Sequence, residues 1–139
     1  MVSTAASAAT LTHTEVFKRV SAIVAESMGI DFALQETTRI IEECGADSLD
    51  FLDIVFRIEK EFGLSPMARA EFFPEKFLGD RRLITPEGVL RAEGAAYLQK
   101  RETWLAQLIG DSAQEGERVR DWYTISLLCR YVEWKLGMP

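Results

Sequence analysis

The chain has 139 residues, of which 47% are apolar, and a formal net charge of −6. This length and apolar content predict one compact domain with a real hydrophobic core. No apolar run reaches the roughly 18 residues that a membrane-spanning helix needs, so no membrane span is expected. The excess of acid lies in residues 11–78, which hold seven Lys or Arg and thirteen Asp or Glu. Such a charge distribution disfavours nucleic acid as a ligand and suits basic protein partners.

Residues 1–10 bear on where the protein is located, and its two cysteines and one histidine bear on whether it has a disulfide or a metal site. Residues 1–10, MVSTAASAAT, have neither the basic start nor the apolar block of a secretory signal. We interpret them as a disordered tail and expect a cytoplasmic protein. Cys44 and Cys129 form no C-x-x-C pattern, so free thiols are expected. The single histidine, His13, has no second histidine or cysteine near it, and no metal site is predicted.

Helical signals begin near residue 12. A first helix is predicted over residues 13–28, opened by the capping pair Thr12 and Glu15 and carrying one apolar stripe. Residues 30–46 are expected to form a connection that contains a short helical turn. A second helix is predicted over residues 48–62, ending at a glycine.

Further helices are expected in the second half of the chain. A minor helix is predicted within MARAEFF, residues 67–73. An N-cap threonine followed by proline predicts a helix over residues 85–108. Another capping pair predicts a last helix over residues 112–136. Because no segment is typical of a strand, the expected fold class is all-α.

The second helix begins at a serine between acids, within CGADSLDFLDIVFRIEKEFG at residues 44–63. Asp47 is expected to cap this helix, which places Ser48 at its first position beside unpaired backbone N–H groups. The helix dipole stabilises an anion there by a few tenths to about 1 kcal/mol, so a phosphodiester on Ser48 would be well placed. Taken alone, an Asp-Ser-x-Asp sequence indicates only a well-capped helix start.

The same helix carries two apolar stripes when its residues are placed at 100° intervals. The core stripe comprises Phe51, Ile54, Val55, Ile58 and Phe62. The opposite stripe comprises Leu49, Leu52 and Phe56, and the flanks are filled by Asp50, Asp53, Arg57, Glu59, Lys60 and Glu61. An apolar strip with an acidic rim, beside a modifiable serine, suits a docking surface, unless another part of the chain covers it.

Two segments of this region resemble acyl carrier proteins. GADSLD at residues 45–50 resembles their phosphopantetheine attachment motif, and IEKEFG at residues 58–63 resembles the end of their second helix. The resemblance implies an all-α, acyl-carrier-protein-like four-helix bundle with one or two additional C-terminal helices. It also implies 4′-phosphopantetheine, transferred from coenzyme A to Ser48 beside Asp47. The partner-recognition face that it implies comprises Asp47, Leu49, Asp50, Leu52, Asp53, Phe56 and Glu59.

The resemblance implies a carrier rather than an enzyme. Such a carrier is loaded by a phosphopantetheinyl transferase, or carrier protein synthase, and holds acyl intermediates as thioesters. It presents them to enzymes of fatty-acid or lipid biosynthesis that have basic docking patches, and it is expected to be a monomer. The alternatives are an unmodified carrier-like interaction or scaffold module, and a carrier protein of a polyketide or peptide assembly pathway.

The segment after the second helix departs from the family pattern. Residues 65–83, SPMARAEFFPEKFLGDRRL, are longer and more aromatic than the family's acidic third helix. Their phenylalanines either pack in the core, which we favour, or help to line an enlarged acyl pocket. The candidates for that pocket are Phe51, Ile54, Val55, Ile58, Phe72, Phe73 and Phe77.

The C-terminal part is the second departure. We predict a carrier domain over residues 11–100 and a helical extension over residues 101–139 that packs on the bundle. The last helix carries one stripe of Trp122, Ile125, Cys129, Val132 and Leu136 and another of Tyr123, Leu127, Tyr131 and Trp134. So wide an apolar surface must be covered. Packing within the chain is favoured over a partner-docking helix or a homodimer seam, and it suggests a carrier for an unusual or long acyl chain.

Overall fold

The computed structural model describes residues 11–67, 69–100, 104–109 and 113–138. The tail predicted at residues 1–10 lies outside this description. The chain divides into two compact units, which we describe separately. The first draws its described residues from Met1–Pro66 and Tyr123–Pro139, and the second from Met67–Trp122.

Helices dominate both units, and the all-α fold class is confirmed. The described α-helices are α1 (His13–Met28), α2 (Ile40–Cys44), α3 (Ser48–Phe62), α4 (Arg69–Phe72), α5 (Glu75–Leu78), α6 (Ala92–Leu98), α7 (Trp104–Ile109) and α8 (Ile125–Lys135), with a 3-10 helix at Val119–Trp122. Besides helices, the described residues form only isolated β-bridges. None of the described helices is long and apolar enough to span a membrane.

The first unit is a bundle of three longer helices, α1, α3 and α8, with the short helix α2. The helices α1 and α3 have the predicted bounds, each closed by a glycine in the left-handed conformation. All three long helices pack against one another. The buried apolar residues of this bundle include Val16, Val20 and Val24 on α1, Phe51, Ile54, Val55, Ile58 and Phe62 on α3, and Ile125, Leu128 and Val132 on α8.

The predicted domain boundary near residue 100 differs from this division. We expected residues 101–139 to be an extension, but residues 123–138 belong to the first unit and supply its last helix. The physical reason is the double apolar stripe of α8, which is buried against both α1 and α3. Packing of the last helix within the chain is therefore confirmed, although Trp134 at its end remains 53% exposed.

Backbone hydrogen bonds fix the start of α8 beside the connection that precedes α2. The Ile40 N–H donates to the Tyr123 carbonyl oxygen at 2.8 Å, and the Ile125 N–H donates to the Thr38 carbonyl oxygen at 3.1 Å. An antiparallel bridge between Arg39 and Thr124 lies between these two bonds. This pairing anchors a segment from late in the chain next to the helix start that carries Ser48.

A buried hydrogen bond joins α3 to α8. The Tyr131 hydroxyl donates to Glu59 Oε2 at 2.6 Å, with Tyr131 fully buried and Glu59 only 7% exposed. Burial, together with this hydrogen bond to a carboxylate, raises the pKa of Tyr131 above its ordinary value, so the hydroxyl keeps its proton. The bond lies within otherwise apolar packing, and it orients α8 against α3.

The second unit has its own aromatic core. Phe72 packs edge-on against Trp104 at a ring separation of 5.1 Å, and Phe77 stacks on Tyr97 at 5.4 Å and on Trp122 at 6.4 Å. A side-chain carboxylate of α4 accepts a hydrogen bond from the backbone N–H of Trp104 at the start of α7. These contacts join α4, α5, α6, α7 and the 3-10 helix of the second unit.

The single helix predicted over residues 85–108 is wrong: its first turns are not helical, and a turn at residues 99–100 ends α6 before α7 begins. Residues 85–88 form a tight turn in which the Gly88 N–H donates to the Thr85 carbonyl oxygen at 2.9 Å. Proline at the second position and glycine at the fourth also suit a β-turn, and this alternative prevails here. Helix α6 begins only at Ala92, and its Gly94 lies so close to the Leu83 backbone that a Cβ would meet the carbonyl oxygen at 2.3 Å.

The last helix also begins later than predicted. Residues 110–112, where the predicted start falls, lie outside the described chain. Beyond them, Gly116 adopts a φ of 94° in a turn, and a 3-10 helix follows. Helix α8 begins at Ile125, where the Thr124 side chain accepts a hydrogen bond from the Leu127 N–H at 3.1 Å. The threonine cap, rather than the earlier serine, therefore sets the start.

Replacing residues 67–122 by a flexible linker of about ten residues should leave the first unit folded. Ser65 contacts Lys135 at the end of α8, whereas Tyr123 precedes its start. The linker must therefore follow α8 for about 16 Å, and about ten residues can span about 33 Å. Circular dichroism and thermal melting should show a cooperative helical protein. Deleting residues 123–138 instead should abolish cooperative melting. Loss of cooperative melting in the linker variant, but not in the deletion variant, would contradict the division of the chain into these two units.

Removing the Tyr131 hydroxyl should destabilise the bundle. Tyr131→Phe deprives the buried Glu59 carboxylate of a donor, and the expected loss is about 1–3 kcal/mol in the free energy of unfolding. Urea unfolding measures this loss. Glu59→Gln keeps an acceptor opposite the hydroxyl and should cost less. A Tyr131→Phe variant as stable as the wild type would show that the hydrogen bond does not support the bundle.

Candidate functional site

The start of α3 is held by a reciprocal cap. Gly45 closes α2 in the left-handed conformation with a φ of 75°, and the chain turns directly into α3. Asp47 Oδ1 accepts a hydrogen bond from the Asp50 N–H at 2.8 Å, and Asp50 Oδ2 accepts one from the Asp47 N–H at 3.1 Å. This capping box places Ser48 at the first helical position, as the sequence predicts.

Ser48 lies at the capped start of α3. Its side chain is half-buried and lies at the positive end of the α3 dipole. The only histidine in the sequence is His13, on α1, where its Nδ1 lies 2.8 Å from Glu133 Oε2. A serine without a nearby general base needs a second protein to activate it.

The second apolar stripe of α3 is open to solvent. Leu49 is 68% exposed and Phe56 is 54% exposed, while Leu52 is half-buried. We call these three residues the docking strip. Asp50 and Asp53 flank it, and neither is buried. The exposure of Leu49 and Phe56 therefore leaves the docking strip free for a partner.

Glu59 corrects the predicted recognition face. We expected it beside the docking strip, but its carboxylate is buried and bonded to Tyr131. Position 59 lies one helical turn after Val55, a core residue, and α8 packs against this side of α3. A carboxylate enclosed in this way cannot meet a partner, so Glu59 has a structural role.

The candidate acyl-pocket residues fall in different units. Phe51, Ile54, Val55 and Ile58 lie in the bundle core, and Phe72, Phe73 and Phe77 lie in the second unit and are buried there. Two surface cavities in the first unit, of about 510 Å³ and about 350 Å³, are lined by none of these seven residues. An acyl pocket at these positions therefore stays a prediction.

The cysteine nearest Ser48 is not activated. Burial raises the pKa of the Cys44 thiol, and the charge of Glu43 adds to this effect. A raised pKa keeps the thiol protonated and unreactive. Both cysteines are free. Within the part of the chain that the structure describes, no cluster of His, Cys, Asp or Glu could hold a metal ion.

Sequence reasoning missed two aromatic residues that support the site. The Tyr123 ring packs edge-on against Phe51 at 5.2 Å, and Phe51 lies one turn after Ser48 on α3. Tyr131 bonds Glu59 on the same helix. The stripe of tyrosines in the last helix indicated burial, but it carried no information on which helix they would meet.

Comparisons with known proteins match this region. Residues 18–73, which include all of α3, match the family model described as "Phosphopantetheine attachment site". The acyl carrier protein of Thermotoga maritima is 41% identical over 51 residues, which cover 36% of this chain and 63% of that protein. Acyl carrier protein AcpXL of Rhizobium etli is 50% identical over 52 residues, covering 37% of this chain and 56% of that protein. The Rhizobium meliloti AcpXL is 48% identical over 52 residues, covering 37% and 55%.

The similarity is confined to part of each protein. The chain spans less than two thirds of the length of these curated relatives. No solved structure is significantly similar to it. The description of the matched family model, a phosphopantetheine attachment site, agrees with the motif that the sequence shows at residues 45–50. Residues 18–73 are thus similar to phosphopantetheine attachment sites and to part of several acyl carrier proteins.

Proposed function

We propose that this protein is an acyl carrier protein that holds acyl intermediates as thioesters on a 4′-phosphopantetheine arm attached to Ser48. The observation that carries the proposal is the position of Ser48 at the capped start of α3, within the matched residues 18–73. The arm, when bound, supplies the thiol on which acyl groups are carried.

The residues around Ser48 suit the phosphodiester of such an arm. The first-turn N–H groups and the dipole of α3 stabilise a negative charge at this position. Partial exposure of Ser48 leaves its hydroxyl within reach of a transferase. Because Asp47 and Asp50 are engaged in capping each other, the helix start is rigid before modification. The role of this chain is therefore to hold the acyl group on its arm and to present it to partners, whereas the transferase activates the Ser48 hydroxyl.

The surface next to Ser48 supports protein partners with basic patches. The first unit carries twelve Asp or Glu and seven Lys or Arg, whereas the second carries ten and nine. Two of these acids, Asp50 and Asp53, flank the docking strip, where Leu49 and Phe56 offer apolar contact area. A phosphopantetheinyl transferase and acyl-transferring enzymes of fatty-acid or lipid biosynthesis, with basic residues around an apolar pocket, fit this surface.

Modification of Ser48 can be measured directly by intact mass. Incubation with coenzyme A and a promiscuous phosphopantetheinyl transferase should add the mass of one 4′-phosphopantetheine group to the wild type. Ser48→Ala should gain nothing, because the attachment oxygen is absent. Ser65→Ala, which removes an exposed hydroxyl outside the site, should gain the same mass as the wild type. A wild type that gains no mass would favour an unmodified scaffold module.

The biosynthetic pathway can be identified from the acyl groups that the protein carries in its native cell. Mass spectrometry of the protein purified from that cell should find fatty-acyl thioesters on the peptide that contains Ser48. Hydroxylamine, which cleaves thioesters, should release them and leave the arm in place. Aminoacyl or polyketide intermediates on the same peptide would instead assign the chain to an assembly pathway.

A further inference from the structure

A surface groove of about 510 Å³ lies between α1 and α3 of the first unit. Two bridges connect the helices beside it: Arg19 Nη2 lies 2.8 Å from Glu61 Oε2, and Ser27 Oγ lies 3.5 Å from Asp53 Oδ2. The paired positions run in opposite directions, so α1 and α3 are antiparallel along the groove. The residues that line it are Arg19, Ala22, Ile23, Glu26, Arg57, Lys60 and Glu61.

The groove has the opposite charge to the unit that contains it. It has three cations and two anions among its lining residues, whereas acids exceed bases by five in the first unit as a whole. Arg19 is held by Glu61 and lies over the Phe62 ring at 4.3 Å, so this cation is engaged within the bundle. The cations that face an incoming group are therefore those of α3, Arg57 and Lys60, with Glu26 as the acid on the α1 side of the groove.

The two α3 cations make only weak contacts within the chain. Arg57 Nε lies 2.9 Å from Asp53 Oδ2, but both side chains are about half exposed to solvent. Lys60 Nζ lies 5.0 Å from the centre of the exposed Phe56 ring. Solvent and salt screen such surface contacts, so a carboxylate from another protein can replace them at little cost.

The groove continues the docking strip. Phe56 is the last residue of the strip, and Lys60 covers its ring one helical turn further on. Along α3, the acids Asp50 and Asp53 thus come first and the bases Arg57 and Lys60 follow, with about 15 Å of helix between the first acid and the last base. The charge on this surface therefore changes sign along α3, from acidic near its start to basic near its end.

We propose that the groove receives an acidic segment of the acyl-handling enzymes that dock on the strip. This inference rests on the proposed carrier function and adds a second, oppositely charged contact to it. A purely basic partner surface could slide along an acidic helix, since every position would be attractive. A base on the partner against Asp50 and an acid against Lys60 fix both the register and the direction of docking.

The groove can be tested with a peptide of the proposed chemistry. The probe is the synthetic peptide Glu-Leu-Glu-Glu-Leu-Glu, titrated into the full-length protein and followed by backbone amide NMR shifts. The amides of Arg57, Lys60 and the α1 residues that line the groove should shift. Lys60→Glu should weaken binding by about fivefold to tenfold, because it replaces an attraction by a repulsion.

A matched variant separates the groove from net charge. Lys18→Glu makes the same charge change at an exposed α1 position that does not line the groove. It should bind the acidic peptide within about twofold of the wild type. Equal weakening by Lys18→Glu and Lys60→Glu would overturn the proposal, as would an acidic peptide that shifts no groove amide. A Lys-Leu-Lys-Lys-Leu-Lys peptide should shift the start of α3 instead and should bind Lys60→Glu no more weakly than the wild type.

Two further measurements make the outcome unambiguous. Sedimentation at rising concentration should show a monomer. A dimer that Lys60→Glu dissociates would overturn the proposal, because the groove would then be occupied by the acidic helix start of a second copy.

Intact mass after transferase treatment tests the carrier function separately. A wild type that loads on Ser48 but ignores the acidic peptide overturns the groove proposal alone. A wild type that binds the peptide but does not load overturns the carrier function.

Discussion

The burial of α8 against α1 and α3 is the constraint on which the rest of this structure depends. A helix with apolar residues on two sides cannot remain in water, and α1 and α3 each present one apolar stripe for it to cover. Backbone hydrogen bonds hold its start against the connection before α2, and the Tyr131 hydroxyl in its middle donates a hydrogen bond to Glu59. The last helix of the chain thereby closes a bundle that begins near residue 13, although residues 67–122, which lie between these helices in the sequence, belong to another unit.

This closure also determines which surface is left for function. Since α1 and α8 cover the core stripe of α3, the docking strip on its opposite side stays exposed. The reciprocal cap of Asp47 and Asp50 holds Ser48 at the end of that strip. The proposed attachment residue, the apolar contact area and the flanking acids Asp50 and Asp53 thus share one helix, so a partner that recognised α3 would meet Ser48 in a fixed position.

Sequence reasoning succeeded where the signal was local and failed where two local readings competed. Helices α1 and α3 have their predicted bounds because a capping residue and a terminal glycine enclose a clear apolar period. The Thr85–Pro86 start was wrong because the same residues, followed by Gly88, also form a β-turn. Glu59 was assigned to the recognition face because its buried partner lies 72 residues away in sequence.

The sequence by itself determined the chemistry of the site: a capped helix start with a serine at its positive end, two apolar stripes, and a surplus of acids around them. These properties depend on neighbours within one or two helical turns, and such interactions form wherever the helix forms. Only the tertiary structure decided that Glu59 is buried, that the last helix completes the bundle, and that a basic groove adjoins an acidic helix. Those outcomes depend on contacts between segments far apart in the chain, and an apolar or charged pattern specifies the need for a partner without specifying which segment meets it.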